Sequence, residues 1–166
     1  MWILLFLLPN ICAQVNISGT YILETSMSSL EKSKERALEK TVQSAAWLYQ
    51  IPLGSRLKDK PHICNRYVFE IQESHFQVTC DSLETLVIPM SGKREKIQRI
   101  LNGTMNEIDV RFYEQENLAY EIFSGGGSMY IEIRVLDQKK LTVSKSIKSS
   151  YFKEPYVVEM TYTIEQ

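Results

Sequence analysis

Apolar and polar residues alternate over most of this chain, and this pattern predicts β-strands. The clearest example is a pair of alternating segments at residues 67–72 and 75–80, which only Glu73 and Ser74 separate. A two-residue hairpin loop between them fixes the register. It predicts three opposed pairs on one apolar face: Ile71 with Phe76, Phe69 with Val78, and Tyr67 with Cys80.

Seven further segments have strand-like patterns, and turn residues separate them at roughly ten-residue intervals. They cover residues 17–24, 83–88, 108–113, 118–123, 129–136, 141–147 and 156–164. In the last of these, alternate residues share one face: Tyr156, Val158, Met160, Tyr162 and Ile164. Many short strands with regular turns are typical of a β-sandwich or a β-barrel.

One helical segment interrupts the strands after the first of them. Ser28 with Glu31 three residues later is typical of a capping box, and Pro52 and Gly54 are expected to end the helix. Its apolar stripe is rich in alanine and its charges are mixed. This favours a lid packed on the sheet over a membrane-surface helix, although transient membrane contact through this segment stays open. The pattern of residues 93–101 predicts a second, shorter helical stretch.

The N-terminal residues 1–13 contain an uninterrupted apolar run that is too short to span a bilayer as a helix. They predict a secretory signal peptide with cleavage after Ala13, and the alternative is a buried N-terminal strand. Residues 14–166 are then a single domain, secreted and extracellular. Sequons at Asn16 and Asn102 predict glycosylation in that compartment.

Composition narrows the classes of protein further. The chain has 166 residues, of which 44% are hydrophobic, and its net charge is −1. This apolar content excludes a disordered chain, and the charge balance argues against nucleic acid as a partner. We expect a monomer.

Two cysteines, Cys64 and Cys80, remain after removal of the signal peptide with Cys12. The hairpin register places Cys64 on the opposite face from Cys80, so a disulfide requires a bulge or a bend near Asn65. An oxidising compartment favours the bond. Both the paired and the free states therefore stay open.

The chain offers little support for an enzyme. It has two histidines, His62 and His75, and no recognisable nucleophile motif. The two histidines with Cys64 and Cys80 could supply four zinc ligands, but the register places His75 and Cys80 on opposite faces. Glycines 125–127 lack the residues of a phosphate loop. We expect no enzymatic activity, no metal and no other cofactor.

The order of elements, with three local patterns, resembles the fatty-acid-binding proteins. The patterns are Gly19-Thr20-Tyr21 in the first strand, residues 133–141 as a strand–turn–strand segment with an arginine before the turn, and residues 158–162 as a terminal strand. The resemblance runs loosely over residues 17–166. It implies a mainly β fold: a ten-stranded antiparallel up-and-down barrel, capped by a helical segment after the first strand.

The resemblance also implies a function, namely an extracellular carrier that binds a fatty acid or another small lipid inside the barrel. Arg134 and Tyr162 would hold the carboxylate, while Met160 stands where that family has a second arginine, and Val158 and Met160 would form apolar wall. If the apolar face of residues 129–135 points inward, however, Arg134 is exposed. The alternatives are a lipocalin-type carrier and a secreted β-sandwich interaction module without a cavity.

Overall fold

The computed structural model describes residues 17–114 and 117–165, so the predicted signal peptide and the sequon at Asn16 lie outside the described residues. Within those ranges the chain forms ten strands and two helices. In chain order these are β1 (Gly19–Leu23), α1 (Met27–Gln43), α2 (Trp47–Leu57), β2 (Arg66–Ile71), β3 (His75–Cys80), β4 (Glu84–Pro89), β5 (Arg94–Leu101), β6 (Thr104–Glu114), β7 (Leu118–Ser124), β8 (Gly127–Val135), β9 (Lys140–Ser149) and β10 (Tyr156–Ile164).

The ten strands form one closed antiparallel barrel. Each strand pairs with its neighbours in sequence, and β1 closes the barrel by pairing with β10. The predicted fold class is confirmed: the protein is mainly β, with a ten-stranded barrel and helices that follow the first strand. This architecture is compatible with the fold that the resemblance to fatty-acid-binding proteins implies, and it is not a two-sheet sandwich.

The predicted β2–β3 register is also confirmed. Tyr67 pairs with Cys80, Phe69 with Val78 and Ile71 with Phe76. Alternation with period two sends these side chains to the barrel interior. A group of interior aromatic rings follows from the same rule: Phe76 lies 5.9 Å from Phe69, 5.7 Å from Phe112 and 6.2 Å from Tyr120 between ring centroids. These rings fill the half of the barrel that lies away from the helices.

The helical segment differs from the prediction because it consists of two helices. The first is capped by Ser26, whose hydroxyl accepts a hydrogen bond from the Ser29 backbone N–H at 3.4 Å, so the cap lies two residues before the predicted Ser28. The first helix ends near Ser44, whose hydroxyl accepts the backbone N–H groups of Lys153 and Glu154. This long-range contact ties the end of α1 to the β9–β10 connection.

Pro52 does not end the helical segment, which is a second correction. It lies inside α2, which continues to Leu57. Because α2 begins only at Trp47, the proline falls in its second turn and removes a single intrahelical hydrogen bond. Neither helix in the described part of the chain is long and apolar enough to cross a membrane.

The predicted helix at residues 93–101 is wrong, because this segment is strand β5. Its side chains alternate between exposed and half-buried along its whole length, and it pairs with β6 from Arg94 to Leu101. Ile97, Ile100 and Leu101 fit a helical spacing, whereas in the strand only Ile97 and Leu101 share the half-buried face and Ile100 is 43% exposed. The segment is a strand because it pairs with β6 along its whole length, and such tertiary pairing outweighs local propensity.

Candidate ligand-binding cavity at the helical end of the barrel

A cavity of about 550 Å³ opens at the end of the barrel where the helices lie. Ile122, Met129 and Ile147 form apolar wall on β7, β8 and β9, and the segment that follows α2 lies at its rim. Its size lies within the range of about 300–1,000 Å³ that is usual for small-molecule sites. The aromatic rings limit its depth: further in, only about 10 Å³ remains open beside Tyr67, Val78 and Tyr120.

Charged side chains gather on the cavity wall. Two carboxylates, Asp59 and Glu84, and three cations, Lys60, Arg99 and Lys145, line it, which leaves one positive charge in excess. Arg99 Nε lies 2.7 Å from Glu84 Oε1, and these two side chains are only 24% and 14% exposed. This ion pair compensates both of its charges inside the barrel mouth.

Lys145 is the buried cation of this wall that has no carboxylate partner among the described residues. Its side chain is 5% exposed, on the inner face of β9. Its Nζ donates a hydrogen bond to the His62 carbonyl oxygen at 2.7 Å and lies 3.7 Å from Cys64 Sγ. Among the described residues, none places a carboxylate oxygen within 4 Å of this amine. The amine is therefore an unmatched positive group facing the cavity.

Burial lowers the pKa of the Lys145 amine to about 8, because a charge is poorly solvated there. Arg99 lowers it further, and the negative charges of Glu84 and Asp81 act in the opposite direction. The balance of these effects leaves a substantial neutral fraction of this amine near neutral pH, unlike an ordinary lysine.

This shifted pKa predicts how stability depends on pH. Between about pH 8 and the unfolded-state pKa of 10.5 the unfolded chain binds the lysine proton and the folded chain does not, so the free energy of unfolding rises, by about 3 kcal/mol. Above that window, buried tyrosines with raised pKa values, such as Tyr67 and Tyr120, reverse the trend. Urea unfolding at several pH values should show the rise in the wild type and not in Lys145→Met. An identical rise in the variant would contradict the assignment.

Cys64 and Cys80 form a disulfide, with an S–S distance of 2.05 Å and Cα atoms 5.4 Å apart. The bend that the pairing requires is present at Asn65, just before β2 begins. The Asp81 carboxylate stabilises this bend by accepting the backbone N–H groups of Asn65 at 3.0 Å and Arg66 at 2.8 Å. His62 lies near both sulfurs. Because they are bonded to each other, they are not available as thiolate ligands for a metal.

Three of the four predicted ligand-binding residues face the barrel interior. Val158, Met160 and Tyr162 lie on the inner face of β10, each at most 1% exposed. The Tyr162 hydroxyl donates a hydrogen bond to the Cys64 carbonyl oxygen at 2.8 Å. Tyr162 therefore helps to hold the disulfide-linked segment at the mouth, and its donor is already engaged.

Arg134 does not face the cavity, so the predicted inward orientation is wrong. Its side chain is 51% exposed and its nearest ionic partner is Glu132 at 3.8 Å, on the same outer face of β8. Ile131 and Ile133 take the inward positions. The apolar side of an amphipathic strand faces the core, and here this rule outweighs the position implied by the family resemblance.

Glu84, Arg99 and Lys145 were missed from the sequence. A signal exists for Lys145: it shares strand parity with Leu141 and Val143, so it is a lone charge on an apolar face. Arg99 was missed because residues 93–101 were predicted to be helical. Only a strand over these residues places the Arg99 side chain on the inner face of the barrel.

Asn102 lies on the β5–β6 turn at the cavity rim, exposed and with φ of 50°. This agrees with the predicted surface turn, and its glycosylation stays a prediction.

No protein-family model, curated protein sequence or solved structure matches this chain.

Proposed function

We propose that this protein is an extracellular carrier that binds a fatty acid or a similar small hydrophobic ligand with an acidic head group. The observation that carries the proposal is the unmatched amine of Lys145 in the wall of a cavity with apolar sides. A carboxylate placed there would compensate the excess positive charge. The ligand would be held and released without chemical change, so we propose carriage and not catalysis.

The energetics of such a ligand divide between its tail and its head group. Each buried methylene contributes roughly 0.8 kcal/mol, so the apolar wall would supply most of the affinity. A charge-assisted hydrogen bond from Lys145 adds about 1.5–3 kcal/mol and would orient the ligand with its carboxylate beside β9. Arg99 lies in the same wall, and its charge is shared with Glu84.

Secretion is supported by two features besides the apolar N-terminal segment. A disulfide persists in oxidising compartments and is rare in the cytosol. The sequon at Asn102 is exposed, as an acceptor for an N-linked glycan must be. We propose that the domain acts as a monomer, because the closed barrel leaves few free strand edges.

The anchoring role of Lys145 is tested by a pair of ligands that differ only in charge. Lys145→Met is expected to weaken the binding of dodecanoic acid by about ten-fold or more, since a charge-assisted bond is lost. Binding of methyl dodecanoate should change by less than about two-fold. Calorimetric titration of delipidated protein measures both.

Lys148→Met is the matched control, because Lys148 lies on the same strand but is exposed. Arg134→Ala is a second control on the outer face of the barrel. Both should leave the affinity for dodecanoic acid unchanged. An equal loss of affinity for acid and ester in Lys145→Met would show that the amine does not recognise the carboxylate.

Delivery of the ligand is proposed to involve transient contact with an anionic phospholipid surface through α2. This helix exposes large apolar side chains: Trp47 is 77% exposed and Ile51 is 86% exposed. Arg56 in its last turn and Lys58 just after it supply positive charge beside this patch. Apolar and basic groups together are typical of a helix that lies at a membrane interface.

Ile51→Glu is therefore expected to abolish cosedimentation with vesicles that contain phosphatidylserine, because it places a negative charge in the apolar patch. Binding by the wild type should also weaken as salt screens the basic residues. Met105→Glu, at an exposed position on β6, is the control that should bind like the wild type. Equal sedimentation of both variants would contradict the role of α2.

A further inference from the structure

We propose that Lys145 is a covalent attachment site for a long-chain aldehyde, which it captures as an imine. The inference rests on the proposed function, because the same cavity must admit the hydrophobic chain. It adds a second ligand class to the acids, and it gives the buried amine a chemistry that simple charge compensation does not require.

The position of the amine is the first support. Lys145 lines both the open cavity and the narrow space beyond it, so a ligand that enters the barrel past Met129 and Ile147 reaches it. Its amine contacts the His62 carbonyl oxygen and Cys64 Sγ. A neutral amine can keep one N–H bond to that carbonyl while its lone pair faces an incoming carbon.

The protonation state of the amine is the second support. Imine formation needs the unprotonated nitrogen, and desolvated lysines in apolar pockets are the ones that form Schiff bases. With its pKa lowered to about 8, Lys145 has a larger neutral fraction near neutral pH than an ordinary lysine side chain. Surrounding apolar side chains also limit access of bulk water, which would hydrolyse the product.

The proposed step is balanced without any further reagent. The Nζ lone pair attacks the aldehyde carbon, a C–N bond forms, and the carbonyl oxygen takes up a proton to give a carbinolamine. The hydroxyl then leaves with a nitrogen-derived proton as water, and the C=N bond forms. Neither the carbon nor the nitrogen changes its oxidation state, so no oxidant or reductant is needed.

The charges around the amine suit the product as well as the reactants. The imine that this step forms is neutral, as the attacking amine was. When the imine takes up a proton it carries one positive charge, as the protonated lysine does, and Glu84 and Asp81 supply the nearby negative field, against which Arg99 acts. Glu84 lies in the same cavity wall and is paired with Arg99 at 2.7 Å. The product therefore adds no net charge to the barrel interior.

The test uses the disulfide-intact wild-type protein with dodecanal and sodium cyanoborohydride, which converts an imine into a stable secondary amine. Intact-mass measurement is expected to show one alkyl group per chain, and peptide mapping should place it on Lys145. Labelling there should be about ten-fold faster than at any exposed lysine, because of its larger neutral fraction. Lys145→Arg should lose this fast adduct, and Lys148→Arg should keep it.

Binding of dodecanoic acid to the same preparations separates this inference from the proposed function. Acid binding together with slow labelling spread over exposed lysines would overturn the imine and leave the carrier intact. If neither the acid nor the aldehyde binds, both proposals fail. Fast labelling that persists in Lys145→Arg would also overturn the assignment of the site.

Discussion

Replacing both disulfide cysteines with alanine, C64A/C80A, is expected to lower the free energy of unfolding by about 3 kcal/mol. The bond closes a loop of 16 residues, and the chain entropy that such a loop removes from the unfolded state corresponds to about this value. Loss of the disulfide should also weaken ligand binding in the cavity. The disulfide holds the segment whose carbonyl oxygens, at His62 and Cys64, bind Lys145 and Tyr162.

Urea unfolding of the wild type and of C64A/C80A measures the first effect, and titration with dodecanoic acid measures the second. Wild-type protein with dithiothreitol should behave like the double variant, which separates loss of the bond from the change of side chain. Equal unfolding midpoints for the oxidised and reduced wild type would contradict a stabilising role for the bond. Unchanged ligand affinity would contradict the link to the cavity.

Phe76→Ala is expected to lower the free energy of unfolding by about 3–5 kcal/mol, the usual cost of emptying a buried phenylalanine site. Phe76 is fully buried and contacts the rings of Phe69, Phe112 and Tyr120, which join three other strands across the barrel. Its removal should also extend the narrow space beside Tyr120, so that longer acyl chains bind better relative to shorter ones.

Phe123→Ala is the control for stability. Because Phe123 is only half-buried, its replacement should lower the free energy of unfolding much less. Urea unfolding gives the stabilities, and titration with fatty acids of increasing length gives the preference. A loss below about 1 kcal/mol in Phe76→Ala would mean that the barrel interior is not packed as described. An unchanged length preference would mean that the ligand does not extend toward these rings.

The part of the fold that could be predicted from sequence is the part that local alternation determines. The β2–β3 hairpin is correct because a two-residue loop and three apolar pairs allow a single register. Segment 94–101 was predicted as a helix because Ile97, Ile100 and Leu101 match a helical spacing, and only the pairing with β6 shows that Ile100 lies on the outer face of a strand. The secondary structure of this segment therefore depends on contacts with another strand and not on its local pattern.

The candidate site was less predictable for the same reason. The disulfide depends on a bend at Asn65 that the Asp81 carboxylate stabilises from the far side of the hairpin, and no local pattern reports this. Arg134 was expected inside from the resemblance, although strand parity placed it outside. Lys145 was missed, although its strand parity with Leu141 and Val143 makes it a charge on an apolar face, and this signal points to the cavity.

Ligand occupancy of the cavity is tested most directly by a nuclear magnetic resonance titration of delipidated, methyl-labelled protein with dodecanoic acid. We expect saturable shifts at a one-to-one ratio for the methyl groups of Ile122, Met129 and Ile147, with intermolecular contacts from these groups to the acyl chain. The exposed methyl group of Met105 should not shift. No shifts, or shifts confined to exposed methyl groups such as that of Met105, would contradict a carrier.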